Sequence, residues 1–582
     1  MLRRLFRWLL RTIASLIVLL VIVAVYDYFA HRVAPNSVLV VTLDGPVIER
    51  GRTGITGLLG GAGQTPLNLV REALERAAGD PRIVGVALKV GEPEMEFAQA
   101  QEIVAMLGRF ARHGKWTAAY LETAGEFEPG NLPYVTAAAA REVSMMPLGE
   151  LNLVGVGVRE IFARGALDWL GIRPNFDSIG QYKSAANVFT EKDFTPAQRE
   201  EDQALVSDLY DQLLGQIASE RQLDLESVRA IVERAPLSAQ DGLAVHLVDR
   251  LEYADQFDER LKHYGGQKHA LIDYAAYVRP RVIPVRSEPL KIAVIYGEGE
   301  IQRGSGGFDP IFGTGGPSMA SDSIVEAFKT AGEDVSVKAV IFRINSPGGS
   351  VIGSELIRRA VELTADKKPV VVSMSGYAAS GGYWVATPGK RIFADPGTIT
   401  GSIGVLIGKF NVMPAAQKLG VNSGAITRGQ NFEMFDQFED FTPAQQKIIH
   451  EQLLGDTYQR FVKLVADSRH LSVAQVDQVA QGRVWTGAQA YKAKLVDQLG
   501  GFDNALEAAK AEAKIPPTTP VGLIELPAQP SLLEQLLQGG LDGSLRLGVG
   551  ARELRPWMWL ARIARAQSAS FDAAYCTLVP VM

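Results

Sequence analysis

The chain repeats itself once, and that duplication restricts its architecture more than any other feature. The hexapeptide Asp193-Phe194-Thr195-Pro196-Ala197-Gln198 recurs as Asp440-Phe441-Thr442-Pro443-Ala444-Gln445. Around it the halves run in parallel. Val38 to Leu43 opens the first and Ile292 to Tyr296 the second; Gly85-Val86-Ala87-Leu88 answers Ala339-Val340-Ile341-Phe342; Leu247-Val248-Asp249 answers Leu495-Val496-Asp497. A second copy roughly 250 residues after the first means that one fold is built twice. Each half alternates short β-rich runs with helical patterns, such as Ser354 to Thr364. That alternation predicts an α/β layer fold with parallel strands.

The Pro-rich run Val278 to Pro284, with Glu288-Pro289, reads as an extended linker between the halves. The expected division is therefore an N-terminal segment 1–35, repeats at 36–280 and 290–515, and a tail at 516–582. In the N-terminal segment, Arg3, Arg4, Arg7 and Arg11 precede the apolar stretch Ile13 to Val25. With its aromatic flanks this stretch approaches the roughly 20 residues that span a bilayer. Arginines before it and few after it predict one transmembrane helix with the body on the far side. A cleaved signal peptide is the rival reading, but Tyr28 before Ala30 and Arg32 before Ala34 make poor cleavage sites. In a bacterium the expected location is thus the inner membrane, with the body in the periplasm. In the tail, Leu532 to Leu537 has an amphipathic helical pattern. The net charge of −6 shows no nucleic-acid footprint, and the single cysteine, Cys576, excludes a disulfide framework within the chain or a cysteine-based zinc cluster.

Chemistry concentrates in two glycine turns of the second half. Ser373 to Trp384 is a run of small residues following the apolar Pro369-Val370-Val371-Val372, and it contains Ser380-Gly381-Gly382. About thirty residues upstream, Asn345-Ser346-Pro347-Gly348-Gly349-Ser350 follows a second apolar run, Lys338 to Ile344. Strand, tight turn and small residues expose a hydroxyl and let backbone N–H groups approach a substrate. Together they suit acyl transfer, with Ser380 as a nucleophile and Ser350, Ser373 and Ser375 as rival hydroxyls. A serine needs a base. None of the seven histidines lies in such a turn, although His450 and His470 remain open, and Tyr383 fills the lysine position of a Ser-x-x-Lys arrangement. Lys183, in Gly180-Gln181-Tyr182-Lys183-Ser184-Ala185-Ala186, is the best candidate because small neighbours allow another element close to it. To act as a base it must be desolvated, which favours the neutral amine.

At these residues the chain resembles the signal peptide peptidase A family in its long, duplicated, membrane-anchored form. The resemblance rests on Tyr182-Lys183-Ser184-Ala185, Asn345-Ser346-Pro347-Gly348-Gly349, Ala379 to Trp384 and Thr400-Gly401-Ser402-Ile403-Gly404, in that order. It implies tandem Clp/crotonase-like domains and a serine/lysine dyad: Ser380 as nucleophile, Lys183 as general base, and Ser402 orienting the lysine. Gly381, with Gly348 or Gly349, would supply the oxyanion hole. The resemblance further implies a homotetramer that cuts hydrophobic peptides, including spent signal peptides, without a metal or organic cofactor. Two alternatives are a crotonase-type acyl-CoA enzyme and a non-catalytic membrane scaffold.

The repeat sharpens the expectation. Aligning the halves on Tyr134 and Tyr383 sets Asn131 opposite Ser380; aligning on the hexapeptide sets Gln430 opposite Lys183, and aligning on Gly180-Gln181 with Gly429-Gln430 sets Phe432 there, neither of them a lysine. The first half keeps the base and the second the nucleophile, so one site per chain is expected, drawn from both halves.

Overall fold

Two runs of β-branched and small apolar residues seed two parallel sheets of the same strand order. In this computed structural model the described residues are 33–51, 63–279, 289–305 and 318–528. The expected N-terminal span, the Pro-rich linker, the Leu532 to Leu537 pattern and Cys576 lie outside them, apart from Val278, Arg279 and Pro289 at the linker's ends. Among the described residues no helix is long and apolar enough to cross a membrane.

The chain divides into two units. The first draws on residues within Met1–Met95, Ile103–Val154 and Gly215–Pro289. Its sheet runs Ala270–Asp273, Ser37–Ile48, Ile83–Glu94, Trp116–Leu121, Glu142–Met145, Arg250–Leu251, every neighbouring pair parallel. Val38, Leu39, Val86, Ala87, Ala118 and Ala119 are buried in it. This continuous burial is what helices on both faces impose on a parallel sheet.

The second unit draws on Glu96–Glu102, Gly155–Leu214 and residues from Leu290 onward, and so takes in sequence from both repeats. Its sheet runs Gly522–Leu526, Lys291–Glu298, Val337–Ser346, Val370–Ala379, Arg391–Ala394, Gln498–Leu499, again all parallel. The edge strand Gly522–Leu526 falls in the stretch read from sequence as a tail; it pairs with Lys291–Glu298 as Ala270–Asp273 pairs with Ser37–Ile48. The central strand Val370–Ala379 also pairs, through its last three residues, with Ile399–Gly401, which in turn meets Val484–Thr486 antiparallel. All ten residues of the central strand are buried. Burying a valine side chain such as Val371 stabilises the fold by about 1.5–3 kcal/mol.

Helix Val351–Ala365 starts where Ser350 Oγ accepts the Gly353 N–H at 3.1 Å, and it buries Ser354, Ile357, Val361 and Thr364 on one stripe. The repeated hexapeptide is also a helix start. Thr442 caps helix Pro443–Lys447 in a reciprocal box with Gln445, proline occupying the first turn where no amide hydrogen is needed. Thr195 likewise accepts the Gln198 N–H ahead of helix Pro196–Arg221. The stretch Gly155–Leu214 joins the second unit through strand Arg173–Ile179, which pairs antiparallel with Val405–Asn411.

Candidate active site

The strand carrying Ser380 is longer than the apolar run alone suggests. It continues through Ser373, Met374, Ser375, Gly376 and Tyr377 to Ala379, because small side chains fit a strand buried on both faces. Ser373 and Ser375 are therefore inside the sheet, where they accept hydrogen bonds from Arg343 at 2.8 and 3.0 Å. Arg343 is itself buried and ion-paired with Glu102. Ser350 serves as the cap just described.

Ser380 stands between this strand and helix Gly381–Ala386 with φ 53° and ψ −117°. A side-chain-bearing residue rarely adopts that conformation, and holding it costs about 1–3 kcal/mol. The surroundings enforce it. Ser380 N–H donates to Gly401 O at 2.9 Å, Trp384 N–H donates to Ser380 O at 2.9 Å, and the helix that follows is wholly buried. The second glycine turn packs against it. Gly348 has φ +110°, and a Cβ there would lie 2.7 Å from Gly381 N and 2.8 Å from Ser380 Cβ, so no other residue fits. The Gly348 N–H donates to Ser346 Oγ at 3.2 Å.

Lys183 reaches the same point from the segment contributed by the first repeat. Its Nζ lies 3.0 Å from Ser380 Oγ, 3.0 Å from Ser402 Oγ and 3.3 Å from the Ser402 carbonyl oxygen. Backbone bonds fix its turn: Lys183 N–H donates to Gly180 O and Tyr182 N–H to Gln481 O. Ser402, at φ 49°, is held by its own N–H donating to Arg483 O at 2.8 Å. Burial pushes the Lys183 pKa down to about 8, against a smaller upward pull from Glu201. A lysine so placed is neutral far more often near neutral pH than an exposed one and can accept the serine proton across the same 3.0 Å.

Two stretches of the chain match Peptidase family S49, residues 129–268 and 362–516. The chain belongs to peptidase family S49. It is 30% identical over 530 residues to "Serine protease SPPA, chloroplastic" of Arabidopsis thaliana, covering 90% of this chain and 76% of that one. It is also 32% identical over 465 residues to "Protease 4" of Salmonella typhi, covering 76% and 71%. Among solved structures, a ClpP1 mutant from Listeria monocytogenes aligns over 37% of this chain and 94% of its own at 15% identity and a TM-score of 0.24.

In this S49 serine protease no histidine among the described residues hydrogen-bonds Ser380. His450 faces the Asp177 carboxylate, and His470 closes helix Gly455–Arg469. Also among the described residues, no cluster of histidine, cysteine or carboxylate side chains is arranged to hold a metal ion. Sequence reasoning missed Glu201. It is fully buried beneath the site, and its Oε1 accepts the Val484 N–H. Burial raises its pKa well above the usual carboxylate range, and burial lifts its neighbour Asp202 to about 7. The signal was present: Glu201 sits one helical turn before Leu205 and two before Leu209, on the buried stripe of helix Pro196–Arg221.

Proposed function

We propose that this chain is a membrane-anchored serine endopeptidase working through a Ser380/Lys183 dyad. The observation that carries the reading is the 3.0 Å approach of Lys183 Nζ to Ser380 Oγ, with Ser402 Oγ 3.0 Å from the same amine. In the reaction, Ser380 Oγ attacks the scissile carbonyl carbon while its proton passes to Lys183 Nζ. The carbonyl oxygen becomes an oxyanion and takes hydrogen bonds from Gly381 N–H and an N–H of the Gly348-Gly349 turn. Because Gly348 N–H already meets Ser346 Oγ, Gly349 is the stronger second donor. The C–N bond then breaks, and Lys183 returns the proton to the leaving amine. Water, giving a proton to the same lysine, then attacks the acyl carbon; the C–Oγ bond breaks, the acid product leaves, and Lys183 returns the proton to Ser380 Oγ. Ser402 holds the amine in line throughout.

Hydrophobic peptides, spent signal peptides among them, are the proposed substrates. The arginine-led apolar stretch at residues 13–25 supports an anchor in a bacterial inner membrane with the body in the periplasm, and a homotetramer is the proposed assembly. Family membership weighs against both the acyl-CoA enzyme and the scaffold. The test is hydrolysis of a hydrophobic signal-sequence peptide by the full chain in detergent, beside Ser380→Ala and Lys183→Ala. The reading requires both variants to stay folded and lose activity; cleavage by Ser380→Ala at the wild-type rate would sink it.

A further inference from the structure

The two glycine turns must keep a fixed spacing if a nucleophile on one and an N–H donor on the other are to meet one substrate carbonyl. The sheet does not provide that spacing by itself. Strands Val337–Ser346 and Val370–Ala379 pair regularly up to Ile344 opposite Met374, then resume with Ser346 opposite Ala378. Asn345 alone therefore stands against Ser375, Gly376 and Tyr377, and the backbone ladder is interrupted just before both turns.

Side chains close the gap. Asn345 Oδ1 accepts the Tyr377 N–H at 3.0 Å, replacing the missing ladder bond. Its amide nitrogen donates to both carboxylate oxygens of Glu96, each at 3.1 Å. Glu96 lies against the bulge itself: a Cβ on Gly376 would sit 2.3 Å from Glu96 Oε2, so only glycine leaves room for the carboxylate. Glu96 immediately precedes helix Phe97–Ala111, and its own N–H donates to Gln99 Oε1 at 3.0 Å, which steadies it. An ionised carboxylate makes the stronger class of hydrogen bond and polarises the amide toward its second bond.

We propose that Glu96 is a positioning residue for the oxyanion hole. Acting through Asn345, it sets the distance between the Ser346–Gly349 turn and Ser380. It touches no substrate. The inference rests on the serine protease reading above and adds to it a residue from the first repeat, outside every motif that marks the site.

The experiment measures kcat and KM of the full chain in detergent on a hydrophobic peptide, with the inhibition constant of a peptide boronic acid that mimics the tetrahedral intermediate. Glu96→Ala is expected to lower kcat about tenfold to a hundredfold with KM within about twofold, and to weaken the boronic acid in parallel. Asn345→Asp sets two carboxylates against each other and is expected to lose at least as much. Combining it with Glu96→Gln reverses the bond's direction, keeps an acceptor for Tyr377 N–H, and is expected to restore most of kcat. A general loss of folding would not be rescued this way. Wild-type kcat in Glu96→Ala, or no rescue in the double variant, overturns the proposal. Ser380→Ala run alongside separates the two readings: its continued activity would sink the serine mechanism, whereas its inactivity beside a fully active Glu96→Ala sinks the role of Glu96 alone.

Discussion

The two sheets share a strand order and differ where one of them carries the candidate site. In the first, strand Trp116–Leu121 ends after six residues and helix Asn131–Ala138 begins from Gly130 at φ −94°, ψ 14°. In the second, strand Val370–Ala379 runs ten residues and passes into its helix through Ser380 at φ 53°. The neighbouring turn differs the same way. Strand Ile83–Glu94 continues through Gly91-Glu92-Pro93, whereas Val337–Ser346 stops before Gly348 and Gly349, both at positive φ. The supports are the same in both. Tyr134 and Tyr383 donate to the carbonyls of Leu247 and Leu495, and Asp249 and Asp497 accept the N–H groups of Val143 and Ile392. Duplication kept the scaffold in both copies, while at the start of this helix the φ 53°, ψ −117° backbone of Ser380 replaces the φ −94°, ψ 14° of Gly130.

The strongest way to break this comparison is to remove the side chain at equivalent positions. Ser380→Ala is expected to lower kcat by about 10⁴-fold or more. Asn131→Ala, at the matching place in the first sheet, is expected to leave kcat within about twofold of wild type. Peptide hydrolysis by the two variants decides it. A large loss in Asn131→Ala would mean that the first sheet also takes part in the reaction.

Lys183→Ala, which removes the amine that the first repeat contributes beside Ser380, is expected to cost about 10²–10⁴-fold. The sign of the pH dependence follows from burial. The Lys183 pKa is lowered to about 8, so the neutral amine is lost as pH falls through that value. The profile of kcat/KM should therefore rise with pH through a single limb near 8. A limb near 6.5 would instead implicate a histidine.

A third contrast concerns charge. Arg343 and Lys89 occupy matching strand positions, each with a carboxylate partner. The Arg343–Glu102 pair is 2% and 3% exposed, the Lys89–Asp258 pair 29% and 30%. Breaking a buried pair leaves an uncompensated charge, so Glu102→Ala should destabilise by about 3–5 kcal/mol. Asp258→Ala should cost at most about 1 kcal/mol. Denaturant unfolding of both variants measures the difference, and equal costs would contradict the burial argument.

How much of this was legible in the sequence depended on the range of the interaction. The duplication and the parallel α/β pattern were read from sequence spacing, and the hexapeptide was read only as a mark of repetition, although its capping chemistry is just as local. The glycine turns around Ser380 and Gly348 were legible because positive φ and close approach leave few residue choices. Lys183 was weaker, since its lowered pKa depends on burial, and the groups its amine meets, Ser380 and Ser402, lie 197 and 219 residues away. Glu96 and Arg343 could not be found, because nothing in their neighbours' spacing reveals a partner across the fold.

A last pair of variants tests whether the shared supports are equivalent in both sheets. Tyr134→Phe and Tyr383→Phe each remove a hydroxyl and leave a buried carbonyl without its donor, at a cost of about 1–3 kcal/mol. Both tyrosines are wholly buried, so water cannot substitute easily. The stability losses should therefore match within about 1 kcal/mol. Their effects on kcat should not. Tyr383 lies in the helix that Ser380 opens, so loosening its tie to Leu495 frees the turn carrying the proposed nucleophile. Tyr134 ties a helix that presents no hydroxyl. A fall of several-fold in kcat for Tyr383→Phe alone, at equal stability loss, would show that the scaffold is shared and only its use differs. Equal falls in both would mean that activity follows global stability, and the local account of Ser380 would have to be abandoned.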